Sequence, residues 1–212
     1  MGGLIDISPV LSSRIAVWPG DVAFSRSVNL AIDEGANIDL SAITTTVHVG
    51  AHTDAPNHYA AGGEGISVRD LDRYYGRCLV VRVSVDPGAR ILPRDLPTAV
   101  SRRESVPARV LFATGSFPDP DHFNEDFCSL SPELVVWLHD RGARLVGIDT
   151  PSVDPCHDAT LASHTAIAAR DMAILEGVVL THVEPGEYTL IALPLRIEGA
   201  DASPVRAALQ RL

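Results

Sequence analysis

The feature that most constrains this chain is a series of short β-type segments. Eight segments rich in Val, Ile and Thr recur along its 212 residues, and Gly or Pro lies between most of them. They read LIDIS, AFSRSVNLAI, AITTTVHV, CLVVRVSV, ARVLFATG, ARLVGIDT, EGVVLTHV and YTLIALPLRI. A chain with this pattern is predicted to fold mainly around β-sheet.

Helical patterns are fewer. SPELVVWLHDRG has Ser131 as a candidate N-cap, Pro132 at the first helical position and Gly142 as the stop. SHTAIAARDMAIL, from Ser163, predicts a second helix leading into the strand EGVVLTHV, and SVRDLDRYYG predicts a short third one. The tail SPVRAALQRL is ambiguous, because its helical propensity is flanked by turn signals. We therefore expect an α/β fold with few helices and a β-rich core, built as one mixed sheet or two packed sheets.

Length and charge narrow the functional classes. A chain of this length is expected to form one domain over residues 1–212. The formal net charge of -10 argues against a nucleic-acid partner, which would need clustered Lys and Arg. We see no secretory signal and no apolar run of about 20 residues, so we expect no membrane association and a cytoplasmic location.

Several common active-site motifs are missing from the sequence. No GxGxxG follows a strand, no GxxxxGK[ST] occurs, and ATGSFPD is not a GxSxG nucleophile elbow. Cys78, Cys128 and Cys156 are an odd number without CxxC spacing, which argues against a disulfide framework or a zinc ribbon. Cys156 and the adjacent His157 have no assigned role, but together with Asp149 and Asp154, His157 and Cys156 could form a network behind an active site, or His157 could compete for a metal.

The strongest chemical signal is the segment HVGAHTDAPNH, which contains His48, His52, Asp54 and His58. A β-branched run precedes it, and Gly50 and a later proline disfavour a helix. In an extended segment, positions 48, 52 and 54 face the same side, because side chains alternate with period two. A bend at Gly50 would then allow both histidines to reach one ion. The sequence thus predicts three ligands on one side of a bent strand.

Two imidazoles and a carboxylate favour a catalytic divalent metal site, because three protein ligands leave one position open for water. The two oxygens of Asp54 would also allow contact with a second ion. His58 follows the proline that ends the strand, and its spacing fits either a fourth ligand or a general acid and base. The alternative is that these are separate strand-end residues bonded to loops.

Two further residues have unusual surroundings. Glu176 lies between an apolar helix end and an apolar strand, so we expect it to be buried and to need a cation. Trp18, followed by Pro and Gly in a loop, either plugs a core edge or lines a cleft.

The same segments resemble a known family. HVGAHTDAPNH resembles the HxGxHxDxPxH signature of the cyclase-like metal hydrolases, and DISPVLSSRIAVWPGD resembles their bacterial kynurenine formamidase (arylformamidase) branch. The similarity continues through GIDTPSVDP, ILEG and PLRIEGADASPVRA. It implies a swivelling β/β/α-type fold and a homodimer. It also implies a centre of two zinc ions per subunit, with manganese as the alternative, that hydrolyses N-formyl-L-kynurenine to L-kynurenine and formate in tryptophan catabolism.

The resemblance also implies a set of metal ligands from two distant parts of the chain. His48, His52 and Asp54 match the ligands of the first zinc, and Asp54 would bridge to the second. His164 and Glu176 match the remaining ligands. Periodicity alone does not predict that these two parts meet.

The remaining implied roles concern the reaction. His58 matches the catalytic proton donor and acceptor, and Trp18 matches the contact to the small-molecule substrate, an aryl formamide. Two rival functions stay open at this point. One is another cyclase-like amide hydrolase, such as isatin hydrolase, and the other is a non-catalytic metal-binding domain with a closed site.

Overall fold

One seven-stranded mixed sheet organises residues 3–212, the part of the chain that the computed structural model describes. Its strand order is β1-β13-β11-β5-β7-β9-β10, and three two-stranded sheets accompany it. The strands are β1 (Leu4–Asp6), β2 (Ser25–Leu30), β3 (Leu40–Thr44), β4 (His52–Asp54), β5 (Tyr75–Arg82), β6 (Arg90–Ile91), β7 (Arg109–Ala113), β8 (Ser129–Leu130), β9 (Leu145–Ile148), β10 (Ala173–Leu175), β11 (Gly186–Ile191), β12 (Ala202–Pro204) and β13 (Ala208–Arg211). The α-helices are α1 (Pro56–Tyr59), α2 (Thr98–Ser101), α3 (Pro132–Asp140) and α4 (Ala162–Ala168).

The main sheet has a parallel half and an antiparallel half. Strands β5, β7, β9 and β10 run parallel, with Leu79, Val110, Val146 and Ile174 in one row across them. Strand β11 pairs with β5 in the antiparallel sense, and β13 and β1 continue that sense to the edge. The predicted α/β fold with a mixed, β-rich core and few helices is confirmed.

Alternate side chains of the central strands bury two separate cores. The row from Leu79 to Ile174 packs with the apolar faces of α3 and α4 on one side of the sheet. Cys78, Val80 and Leu111 point to the other side, because successive strand residues face opposite ways. That second core includes Ala51, which lies directly before β4, so the segment with the three histidines is packed over this face.

Helix α3 begins and ends as predicted. The Ser131 hydroxyl accepts a hydrogen bond from the Leu134 amide at 3.1 Å, which satisfies a donor in the first turn. Gly142 follows the helix with φ 104°, a conformation that favours glycine. Within residues 3–212, no helix is long and apolar enough to cross a membrane.

Three local predictions are wrong where tertiary pairing decided the structure. Helix α4 ends at Ala168, and the AIL sequence counted as helical is the strand β10, while EGVVLTHV contains no strand. The predicted third helix consists of two 3-10 turns, Ile66–Val68 and Leu71–Arg73, followed directly by β5. The ambiguous tail forms β12, which pairs with β4, and β13, which lies between β1 and β11 in the main sheet.

Gly177 marks a close approach between two distant parts of the chain. Its φ is +66°, and an added Cβ would lie 2.2 Å from the carbonyl oxygen of Gly50. Gly177→Ala therefore combines backbone strain with a backbone clash, and we expect it to lower the free energy of unfolding by at least about 3 kcal/mol. Urea unfolding followed by circular dichroism measures this loss.

The matched control is Gly35→Ala. Gly35 also has a positive φ, +92°, but no atom lies within 4 Å of an added Cβ. Only the strain remains there, so the expected loss is about 1 kcal/mol. Equal losses for the two variants would contradict the steric account of Gly177.

Candidate metal centre

The segment with the three histidines is not one bent strand. Strand β3 ends at Thr44, residues 45–51 form turns, and only His52–Asp54 are extended, as β4. The expected alternation through His48 is therefore wrong. Gly50 does supply the expected change of direction, with φ +58°, so that a turn brings His48 beside β4.

Backbone hydrogen bonds join this segment to a distant one. The His52 amide donates to the Glu176 carbonyl at 3.1 Å, and the Glu176 amide donates to the His52 carbonyl at 2.9 Å. Glu176 directly follows β10, so the main sheet fixes its position. Its side chain is 3% exposed, which agrees with the expectation of a buried carboxylate.

Five of the predicted site residues converge around the buried carboxylate of Asp54. His48 Nδ1 lies 3.1 Å from Asp54 Oδ1, His52 Nε2 lies 3.7 Å from the same oxygen, and His164 Nε2 lies 3.5 Å from Oδ2. Glu176 closes the group, with Oε2 3.1 Å from His52 Nε2 and Oε1 3.8 Å from His164 Nε2. The structure therefore brings together residues from both parts of the chain.

In each of the three imidazoles, the ring nitrogen that faces away from Asp54 lies beside an oxygen atom that orients the ring. His52 Nδ1 donates to a main-chain carbonyl oxygen at 2.8 Å, and His164 Nδ1 bonds Asp154 Oδ2 at 2.8 Å. His48 Nε2 lies 3.0 Å from Asp201 Oδ2. This anchoring points the opposite nitrogen of each ring at the common space, which is how metal-binding histidines are usually oriented.

A cation would stabilise the buried polar atoms that face the space among these side chains. His52 Nε2 and both carboxylate oxygens of Asp54 are buried without a hydrogen-bond partner. His52 Nδ1 donates to a carbonyl, so in the neutral ring Nε2 presents a lone pair to Glu176 Oε2 at 3.1 Å and two acceptors face each other. Leaving such groups unpaired costs about 1–3 kcal/mol each. Imidazole nitrogens and carboxylate oxygens suit zinc or manganese, so these residues fit a metal.

The pKa values show the same preference for positive charge. Burial lowers the pKa of His48, but the adjacent Asp54 carboxylate outweighs it and raises the pKa to about 9. Burial is likewise outweighed at His164, where the hydrogen bond to Asp154 and the adjacent Asp54 carboxylate raise the pKa to about 10. The pKa of Asp54 lies well below its usual range, despite burial, because the His164 and His48 imidazoles lie beside it. A metal ion would take the place of these protons.

Asp154 supports His164, a role that the sequence had not assigned to it. Asp154 is fully buried and accepts hydrogen bonds from the amides of Ser163 and His164 at the start of α4. Arg90 Nη1 pairs with it at 2.7 Å, which compensates the buried charge. The sequence indicated Asp154 as a possible network partner of His157 and as part of GIDTPSVDP, and neither signal indicates a contact with His164.

Asp201 lies at the other end of the site, and its role was also not predicted from the sequence. Its Oδ2 atom lies 3.0 Å from His48 Nε2 and 3.4 Å from His58 Nδ1, and the two rings lie with centroids 4.3 Å apart and planes tilted by 45°. The Ala55 amide donates to the Asp201 carbonyl at 2.8 Å, so backbone pairing fixes the carboxylate beside α1. His58 offers a ligand atom within 4.8 Å of those of His48 and Asp54, so its position is compatible with both roles that its spacing allowed, a further ligand or a proton donor.

A cavity of about 480 Å³ opens over the convergent side chains. His58 and Trp18 line its wall, and the Trp18 ring packs edge-on against Phe123 and Phe127 with centroids 5.5 and 6.2 Å away. Of the two alternatives for Trp18, lining a cleft is therefore the one observed. The volume lies in the range of small-molecule sites.

Comparisons with known proteins agree with this geometry. The sequence model of the family described as "Putative cyclase" matches residues 5–155. The chain belongs to the cyclase family. It is 42% identical over 212 residues to the kynurenine formamidase of Bordetella avium (strain 197N), and the match covers 100% of both chains.

Solved structures share the fold. A potential metal-dependent hydrolase with cyclase activity is similar with a TM-score of 0.81 and 26% identity, covering 98% of this chain and 96% of its own. Isatin hydrolase A from Labrenzia aggregata, bound to benzyl benzoate, has a TM-score of 0.86 at 21% identity, covering 99% and 94%. The second likeness concerns the fold alone.

Proposed function

We propose that this member of the cyclase family is a kynurenine formamidase, an arylformamidase that hydrolyses N-formyl-L-kynurenine to L-kynurenine and formate in tryptophan catabolism. The observation that carries the proposal is the convergence of buried imidazoles and carboxylates on the floor of a cavity with an indole in its wall. Full-length identity of 42% to a kynurenine formamidase supports the substrate class.

We assign the convergent side chains to two zinc ions per subunit, with manganese as the alternative. His48, His52 and Asp54 would hold the first ion, Asp54 would bridge, and His164 and Glu176 would complete the second. The unpartnered atoms of His52 and Asp54 support this assignment. A bound divalent ion polarises a carbonyl oxygen and lowers the pKa of a water molecule.

His58 is assigned the proton transfer. Hydrolysis adds water to the formyl carbon, breaks the C–N bond and delivers a proton to the aniline nitrogen, which leaves poorly as an anion. The Nδ1 atom of His58 faces Asp201, so Nε2 is the nitrogen left for the substrate. The Asp201 carboxylate orients the ring.

Trp18 is assigned to the aryl group of the substrate. Its side chain lines the cavity and keeps 37% of its surface exposed, although two phenylalanines pack against it. A flat indole held in this way can stack on an aniline ring.

The first test compares two substrates on protein whose metal content has been counted. We expect formate to be released in step with consumption of N-formyl-L-kynurenine, and isatin to be opened much more slowly. Faster turnover of isatin would favour the rival cyclase-like hydrolase. Activity on neither substrate, with one metal per chain, would overturn the proposed function and favour a non-catalytic metal-binding domain.

The second test concerns His58. His58→Ala is expected to lower kcat by about 100-fold or more while the metal content stays unchanged, because the ring transfers a proton and holds no ion. Asp54→Ala is the comparison, since it should lose both metal and activity. His58→Ala protein that keeps its zinc and full activity would remove the assignment.

We also propose that two subunits associate, as the family resemblance implies. The hairpin of β2 and β3 pairs with no other strand of the described residues. It and its flanks expose large apolar side chains, as is common where a partner binds. They are Val28, Leu30, Ile32, Ile38, Leu40 and Ile43.

Light scattering should give twice the mass of one chain. Ile43 is 62% exposed, so Ile43→Glu should weaken the dimer without unfolding the subunit. A monomeric unsubstituted protein would contradict the proposal. A single domain over residues 1–212, a cytoplasmic location, and the lack of nucleic-acid and membrane partners stay predictions of the sequence.

A further inference from the structure

A second group of potential metal ligands lies outside the candidate centre. It consists of Glu125, Cys156 and His157, each offering one ligand atom within 4.8 Å of the other two. His157 Nε2 lies 3.1 Å from Glu125 Oε2. Ligand atoms around a tetrahedral zinc lie about 3.5 Å apart, given bonds of about 2.0–2.3 Å, so small side-chain rotations suffice to close this group on an ion.

The chemistry of the group suits a thiophilic divalent ion. A pair of exposed charges is worth little by itself, and the side chains of His157 and Glu125 are 78% and 59% exposed. Cys156 adds a thiol to this pair. Thiolate, imidazole and carboxylate together favour zinc over magnesium or calcium, and three protein ligands leave a position for water. Binding would displace the thiol proton to solvent.

The group connects two loops that form walls of the active-site cavity. Glu125 lies in residues 114–128, which follow β7 and supply Phe117 and Phe123 to the cavity wall. The Cys-His pair lies in residues 149–161, which follow β9 and supply Ser152 and Leu161. Any ion held by all three side chains would therefore join the two walls.

We propose that Glu125, Cys156 and His157 form an auxiliary zinc site that fastens loop 114–128 to loop 149–161 at the cavity. The ion is additional to those of the candidate centre and takes no part in the hydrolysis. Its effect is to restrain two loops that line the cavity.

Cobalt distinguishes this site from the candidate centre. The candidate centre has only nitrogen and oxygen ligands, so cobalt in it gives no thiolate-to-metal charge-transfer band. Cys78 and Cys128 are 0% and 1% exposed, and neither belongs to a group of potential ligands in the described residues. A thiolate band therefore reports on Cys156.

The experiment adds cobalt to reduced enzyme that has been loaded with two zinc ions per chain, the number assigned to the candidate centre. We expect one further ion per chain with a near-ultraviolet thiolate band, and Cys156→Ser should abolish that band. His157→Ala and Glu125→Gln should weaken binding by at least about tenfold, since even removing a group behind a metal ligand costs that much. His139→Ala, which removes a half-buried histidine elsewhere, is the control and should bind as the unsubstituted protein does.

Hydrogen exchange tests the consequence for the loops. Zinc added to the loaded enzyme should slow amide exchange in residues 114–128 and 149–161, and Cys156→Ser should remove that protection. Absence of a thiolate band in the unsubstituted enzyme, or a band that persists in Cys156→Ser, would overturn the proposal. Neither readout depends on which substrate the enzyme hydrolyses.

Discussion

Buried acceptors that face one another are the constraint on which the site depends. His52 Nε2 and Glu176 Oε2 lie 3.1 Å apart, and the two oxygens of Asp54 are buried nearby without a hydrogen-bond donor. Such an arrangement is unfavourable unless positive charge occupies the space between the atoms. The raised pKa values of His48 and His164 express the same requirement. A divalent ion bound in this space would therefore stabilise the folded chain.

The rest of the structure holds these groups against their mutual repulsion. Two backbone hydrogen bonds fix His52 opposite Glu176, and the parallel pairing of β10 with β9 places Glu176 at the end of a buried strand. Asp154 orients His164, while Arg90 compensates its charge. Gly177 lets the two segments approach more closely than any side chain would allow. The sheet thus positions the ligands, and the loops above it shape the cavity.

Sequence reasoning succeeded where the signal was local. The Ser131 cap and Gly142 stop define α3, and the apolar neighbours of Glu176 indicate a buried carboxylate. Gly50 was expected to redirect the chain and does so. Periodicity failed for His48, because a strand was extrapolated through residues that form turns. It also failed for β10, because three apolar residues after a helix are too few to show a period of two.

Local sequence patterns did not predict the contacts between residues that lie far apart in the sequence. His52 and Glu176 are paired by the strand order of the sheet, and no spacing rule connects them. Only the family resemblance placed His164 and Glu176 with the first ligands, and it did not indicate that Asp201 lies beside both His48 and His58. Such partners lie in loops that pack near a site, and a single sequence carries little record of that packing.

The most direct measurement is X-ray diffraction on both sides of the zinc absorption edge, from crystals grown with zinc and without chelator. We expect anomalous peaks in the space enclosed by Asp54, Glu176 and His52, within about 2.0–2.2 Å of the carboxylate oxygens. An empty space in those crystals, with the carboxylates still converging, would contradict the claim that a metal ion holds them together.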